Sequence, residues 1–417
     1  MIRFETIEQL KSFLSEELLF TNEATQLLGI TPQRLNQLVH SGKISPVKSS
    51  RAGTLFLKQE LEERKKEISG IENVSLAGRV VEKLKTVNSE KVIQEAINYF
   101  TIQSFFNNYD RKAEPVFEQL NQHFDLTEPL TRFFRELTRI LDCDQFILEK
   151  TYENTFKGFE SLKPTDFVVK RGQELYPKLL EKTEHAPRFL FMRGNPTLVK
   201  YHTVAVVGTR NPTEDGVKKS EKLASLLGKY KIVVASGLAK GIDTAAHKGA
   251  LSNKKPTIAV IGTPITKVYP KENARLQQQI AEEGLVISQF APSSPTHRWN
   301  FPMRNAVMSG ISLATVVIEA GETSGALLQA DYALKQGRLV FIPQSALNNE
   351  KLKWPRKYIQ RAGAACFSKI DELITKLEQS KVINNESIND AEQMTLFDSE
   401  VGIHYVRRSD QSKRTTN

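Results

Sequence analysis

The sequence predicts an α/β fold: a doubly wound parallel sheet, preceded by a small helix-turn-helix domain and a helical region. Three observations carry this prediction. Between Thr165 and Leu377, six short apolar runs alternate with helical segments. The runs are continuous in Val, Ile and Ala rather than alternating with polar residues, which is the pattern of parallel strands buried on both faces. The residues directly after the runs are rich in Gly, Ser and Thr, as expected at the strand ends where open sheets of this Rossmann-like kind bind ligands.

The elements follow in order. Residues 1–67 hold "TNEATQLLGITPQRLNQLVHSGKISPV". Its period predicts a helix from Asn22 to Leu28, a turn at Gly29 and a second helix from Pro32 to Val39. Proline suits a helix's first turn, where a missing N–H costs nothing, and helix, Gly turn, helix is the helix-turn-helix pattern. A hairpin-like stretch and a charged helix follow. Residues 68–164 are helical by period from Ile93 onward and carry no recognisable chemistry, so they read as a packing or spacer region. Within residues 165–377, strands are expected at Thr203–Gly208, Ile232–Ser236, Thr257–Gly262, Leu285–Phe290, Ala314–Ala320 and Leu339–Pro343. Helices are expected at Glu214–Lys229, Gly241–Ser252, Asn273–Glu283, Met303–Ser309 and Ala326–Gln336. Residues 378–417 turn polar and read as a flexible tail.

Composition narrows the function. The chain has 417 residues, 40% of them hydrophobic and 25% charged, with a formal net charge of +10. That excess favours a polyanionic partner, nucleic acid or an acidic membrane surface. No apolar run reaches transmembrane length and the acidic start does not read as a signal peptide, so membrane association is not expected and a cytoplasmic location is. Two cysteines, Cys143 and Cys366, lie far apart and outside metal-ligand spacing, so neither a disulfide framework nor a metal site is expected.

The strand ends carry the candidate site. Gly208, Ser236, Gly237, Gly241, Ser324 and Gly325 occupy turns whose backbone N–H groups and hydroxyls suit an anion. Arg210, Lys240 and Lys271 stand beside those turns, and His297, Arg298, Arg304 and Asn305 cluster in "HRWNFPMRN". A line of cations on Gly and Ser backbone binds phosphates whatever the bases; Phe290, Trp299 and Phe301 are aromatic candidates for base stacking or core packing. The dinucleotide fingerprint is missing, because no second Gly follows Gly208 at the required spacing and no acid ends the second strand. The phosphate-loop pattern of nucleoside triphosphatases is missing as well. No cofactor is therefore expected. No catalytic constellation is evident: His247 reads as a packed histidine, and Glu319 as an acceptor of hydrogen bonds from nearby N–H groups.

Several motifs in fixed order, "VAVVGTRNPTEDG", "SGLAKGIDTAAHKGAL", "YPKENARL", "FPMRNAVMSGIS", "VVIEAGETSGALLQADYALKQGR" and "IQRAGA", resemble the DNA-processing protein A family, DprA, also called Smf. The resemblance implies a non-enzymatic protein that binds single-stranded DNA, forms a homodimer and loads a RecA-type recombinase during natural transformation. It places the family's DNA-contacting cations on Arg210 and Lys240, with Lys271 as a further candidate. Three positions depart from the family: Gln289 stands for the usual Glu, Pro264 for a Gly, and Ala306 for an Arg. The N-terminal block resembles a MerR/excisionase-type winged helix-turn-helix, in which Gln33, Arg34, Asn36 and Gln37 would face a major groove of double-stranded DNA. In the tail, "QMTLF" resembles the peptide that docks on the DNA sliding clamp, through Gln393, Leu396 and Phe397. Two other readings remain: a nucleotide-binding sensor or regulator, connected with mobile-element or phage defence, and a nucleotide-cleaving enzyme acting through Glu319 and the "GETSGA" turn.

Overall fold

A computed structural model describes residues 6–28, 30–40, 42, 44–50, 53–62 and 89–380. The chain divides into two compact units, Met1–Arg79 and Val80–Asn417.

In the first unit, helices Ile7–Glu17, Thr21–Leu28 and Pro32–His40 accompany a three-stranded antiparallel sheet. Its strands are β1 (Leu18–Phe20), β2 (Lys48–Ser50) and β3 (Gly53–Leu57), in the order β1-β3-β2. Glu23 starts the second helix by accepting a hydrogen bond from the Phe20 N–H at 2.8 Å, which satisfies a donor the helix cannot. Ala24, Leu28, Leu35, Leu38, Ile44, Phe56 and Leu61 form this unit's core. Leu35 and Leu38 are three apart, so both turn inward from one face of Pro32–His40, while Gln33, Asn36 and Gln37 lie exposed.

The second unit is built on a nine-stranded sheet. Strands β4 (Asp166–Lys170), β5 (Phe189–Gly194), β6 (Thr203–Val207), β7 (Val233–Ser236), β8 (Thr257–Val260), β9 (Leu285–Ser288), β10 (Ala314–Val317), β11 (Leu339–Pro343) and β12 (Ala364–Phe367) take the order β12-β11-β10-β6-β7-β8-β9-β5-β4. The run from β12 to β9 is parallel, and β5 and β4 join antiparallel. All six strands read from the apolar runs are present, flanked by helices Glu214–Lys229, Ile242–Leu251, Ala274–Glu283, Asn300–Gly310 and Gly325–Lys335. The order reverses at β6, whose neighbours are β7 and β10.

The sheet is covered on both faces because successive side chains alternate sides. Ala205 and Val207 join Val307, Met308, Ala330, Trp354 and Tyr358 in one core. Val204 and Val206 join Leu223, Leu227, Ala246, Leu373 and Leu377 in the other. Strands β4, β5 and β12 escape the sequence reading. "FLFM" in β5 is a short continuous apolar run, which period alone cannot tell from helix, and β12 is half-buried at an edge.

Helices Glu90–Phe105, Asp110–Asn121, Phe134–Ile140 and Gln145–Glu160 make up the helical region. It packs on the antiparallel edge. Phe189 and Phe191 point to the same side of β5 and meet Phe100 at ring-centroid distances of 5.9 and 5.4 Å. Arg188, only 6% exposed, is held there between Glu95 (3.1 Å), Glu114 (3.0 Å) and Glu118, with its guanidinium 4.9 Å from the Phe117 ring centre. Among the described residues, no helix is long and apolar enough to cross a membrane.

Candidate functional site

Strand order reverses at β6, and a cleft of about 410 Å³ opens there, at the position where open α/β sheets take ligands. Gly208 and Arg210 enter it from the end of β6, Asp243 from Ile242–Leu251, Arg304 and Asn305 from Asn300–Gly310, and Ser324 and Gly325 from the start of Gly325–Lys335. A smaller hollow of about 60 Å³ adjoins it, sharing Arg210, Ala239, Phe301 and Arg304 and adding Gly237, Lys240, Gly262 and Tyr269. The fold thus brings Arg210, Lys240 and Arg304, each from a different segment, to one rim. Lys271 is exposed and lines neither hollow.

The glycines are dictated by close approach. A Cβ on Gly208 would fall 2.5 Å from the Ile242 side chain. Gly241 has φ +80° and its Cβ would fall 2.4 Å from the Thr209 carbonyl oxygen, so both conformation and space require glycine there. Around these contacts, Thr209 N–H donates to the Glu319 carbonyl at 2.7 Å and Ile242 N–H to the Thr209 carbonyl at 3.2 Å. The loop carrying Arg210 is thereby pinned to the loop carrying Lys240.

The turn from Ser236 to Gly241 differs from the sequence reading in one respect. Its anion seat is occupied from within. Oδ2 of Asp243 accepts from the N–H groups of Gly237 (3.2 Å) and Ala239 (3.3 Å). The Ser236 hydroxyl, fully buried, donates to the Val206 carbonyl at 2.7 Å. Gly237 is small because the Arg304 guanidinium lies against it: a Cβ would sit 2.0 Å from Nη1. Ser236 and Gly237 therefore organise the rim rather than receive a phosphate through the groups first assigned to them. Ser324 also has an internal role, since its hydroxyl accepts from the Ala326 N–H at 3.3 Å and caps the helix. Gly325 has open space around it.

Arg304 is 6% exposed and donates from Nη1 to the carbonyls of Val260 (2.7 Å) and Gly237. Its Nε has no partner among the described residues. Burial lowers its pKa from the usual guanidinium range, opposed by Asp243. Burial likewise raises the Asp243 pKa, opposed by Arg304 and by the turn's N–H groups. Lys240 Nζ lies 2.6 Å from Glu272, with the two side chains 54% and 62% exposed. A pair so open to water contributes little, and its lysine is free to exchange the carboxylate for a phosphate.

The other candidates sort by burial. Phe290 is core, and Trp299 is sandwiched between Tyr109 (4.5 Å) and His297 (5.3 Å) in a parallel stack. Phe301 faces the rim. His247 is fully buried with Nδ1 2.8 Å from the Thr257 hydroxyl, and burial, with Arg304 adding, pushes its pKa down to about 3. Glu319 accepts from the Thr213 N–H (3.1 Å) and hydroxyl (3.0 Å) at the start of Glu214–Lys229, so its carboxylate is a helix-end acceptor. It borders a separate cleft, not the one containing Arg304. Asp243 and Tyr269 were missed from sequence: the acid hid in a helix's first turn, and the tyrosine in a loop without period. Gln393, Leu396 and Phe397 lie outside the described residues.

Comparison with known proteins identifies relatives of the second unit. Residues 167–378 match the family described as DNA recombination-mediator protein A. The DNA processing protein DprA of Streptococcus pneumoniae is 44% identical over 176 residues, 42% of this chain and 62% of that protein. DprA of Bacillus subtilis is 36% identical over 197 residues, 47% of this chain and 66% of that protein. The matches thus span a little under two thirds of those relatives. The crystal structure of Streptococcus pneumoniae DprA superposes with a TM-score of 0.53 at 30% identity, covering 69% of this chain and 95% of that one.

Proposed function

The chain belongs to the DNA recombination-mediator protein A family, and from that premise we propose that its sheet rim seats the backbone of single-stranded DNA, with no bond made or broken there. The observation that carries this reading is the meeting of Arg210, Lys240 and Arg304 in two adjoining hollows. Arg210 and Lys240 stand exposed on separate segments, with the buried Arg304 lining both hollows, and exposed cations spaced along a rim are what a strand requires. The bound strand is then delivered to a RecA-type recombinase by a homodimer, a role consistent with the family's description as a recombination mediator.

The experiment is a titration with labelled oligo-dT of several lengths at two salt concentrations. Binding is expected to strengthen with length and weaken with salt. Arg210→Ala and Lys240→Ala should each lower affinity and reduce the salt slope by about 0.7, the contribution of one phosphate contact on single strands. Wild-type affinity and slope in both variants would remove the rim from the binding site.

One observation favours a second reading. A volume of about 410 Å³ lies within the range of small-molecule sites, so the cleft would also hold a single nucleotide, with the first unit acting as a regulator. Saturable binding of a mononucleotide without any length dependence selects this sensor reading; turnover of the nucleotide would instead select an enzyme.

A further inference from the structure

Tyr269 is 47% exposed, although it belongs to the rim. It lines the smaller hollow together with Arg210, Lys240 and Gly237. Its ring is held from behind by Phe301, at a centroid distance of 5.2 Å and a tilt of 51°. Phe301 is held in turn: a Cβ on Gly262 would approach its ring to 2.7 Å, so only glycine lets that ring lie so close to the backbone after β8. Gly262, Phe301 and Tyr269 form a supported series that ends in an open aromatic surface beside two cations.

From this, and resting on the single-strand reading above, we infer that Tyr269 is the base-stacking platform by which the rim selects unpaired strands. At 47% exposed, the ring offers a surface on which a base can lie beside the two cations. Every base has a π-face, which makes such stacking indifferent to sequence. In a duplex those faces are already covered by neighbouring bases, and exposing one carries an unstacking cost. Arg210 and Lys240 would attract the phosphates of either form; the tyrosine rewards only the form whose bases are free. Because Phe301 already orients the ring, little side-chain freedom is lost on binding.

The test uses the full chain and three probes: an oligonucleotide, its duplex, and a single strand of equal length made of abasic sites. Tyr269→Ala should weaken binding of the ordinary single strand by roughly 5- to 150-fold, the range for one stacked base. It should leave the salt slope, the duplex affinity and the abasic-strand affinity unchanged, because the cations remain. Tyr269→Phe should bind as the unaltered protein does. Equal losses on the ordinary and abasic strands would make Tyr269 a structural residue and overturn the inference. So would unchanged affinity of Tyr269→Ala for the ordinary strand. If the unaltered chain binds no single strand, the underlying reading fails and this inference falls with it.

Discussion

A single carboxylate oxygen organises the rim. Oδ2 of Asp243 accepts both turn N–H groups, so the acid acts as the turn's resident acceptor. It also lies close enough to affect the Arg304 charge. Geometry and charge separate by substitution. Asp243→Asn keeps an oxygen for both donors and removes the negative charge, so oligonucleotide binding should tighten severalfold with thermal stability little changed. Asp243→Ala leaves the buried Gly237 donor unmet, at about 1–3 kcal/mol, and the half-buried Ala239 donor with it, and should lower the melting temperature and loosen binding together. Melting curves and titrations on both variants decide this; equal behaviour of Asn and Ala would contradict a charge role for Asp243.

Helices matter here through their ends. Asp110 opens the Asp110–Asn121 helix, and its Oδ1 accepts from the Tyr99 hydroxyl (2.9 Å) and from Gln103 Nε2. Burial raises its pKa to about 6, against those two hydrogen bonds and with Glu114 adding to the rise. The folded protein therefore holds a proton that the unfolded chain releases near pH 4. Linkage then makes this group's contribution fall as pH rises from about 4 to about 6, with its full cost present above that window. Asp110→Asn keeps an acceptor oxygen and never ionises. Its melting temperature should exceed that of the unaltered protein at pH 7.5, and the difference should vanish near pH 4. A pH-independent difference would mean that folding does not shift this carboxyl, and a variant melting below the unaltered protein at pH 7.5 would mean that the fold stabilises the anion. Nearby, the buried Arg188 cluster joins the helical region to the β5 edge. Removing Glu95 from it would strand part of that charge, a change expected to cost about 3–5 kcal/mol.

At the scale of the whole molecule, we propose a nucleic-acid surface on each compact unit: the sheet rim in the second, and in the first the face of Pro32–His40 that exposes Gln33, Asn36 and Gln37, with Arg34 on the same helix. Amide side chains there suit the paired edge of adenine in a major groove. Asn36→Ala combined with Gln37→Ala should reduce duplex binding and leave oligo-dT binding intact, while Arg210→Ala should weaken oligo-dT binding and cost the duplex no more than one phosphate contact. Equal loss of oligo-dT binding in the two variants would contradict distinct roles for the two units.

Periodicity determined most of the architecture from sequence: six parallel strands and their helices are legible because burial on both faces forces continuous apolar runs. Arg210, Lys240 and Arg304 were legible as a group because strand ends are where such a sheet presents side chains. The tertiary structure decided what each does. Asp243 filling the turn, Gly237 yielding room to Arg304 and Phe301 backing Tyr269 are contacts between residues from 4 to 67 positions apart, and no periodic pattern encodes them. The antiparallel β4–β5 edge was decided in the same way, since a short apolar segment becomes strand or helix according to the partner it meets.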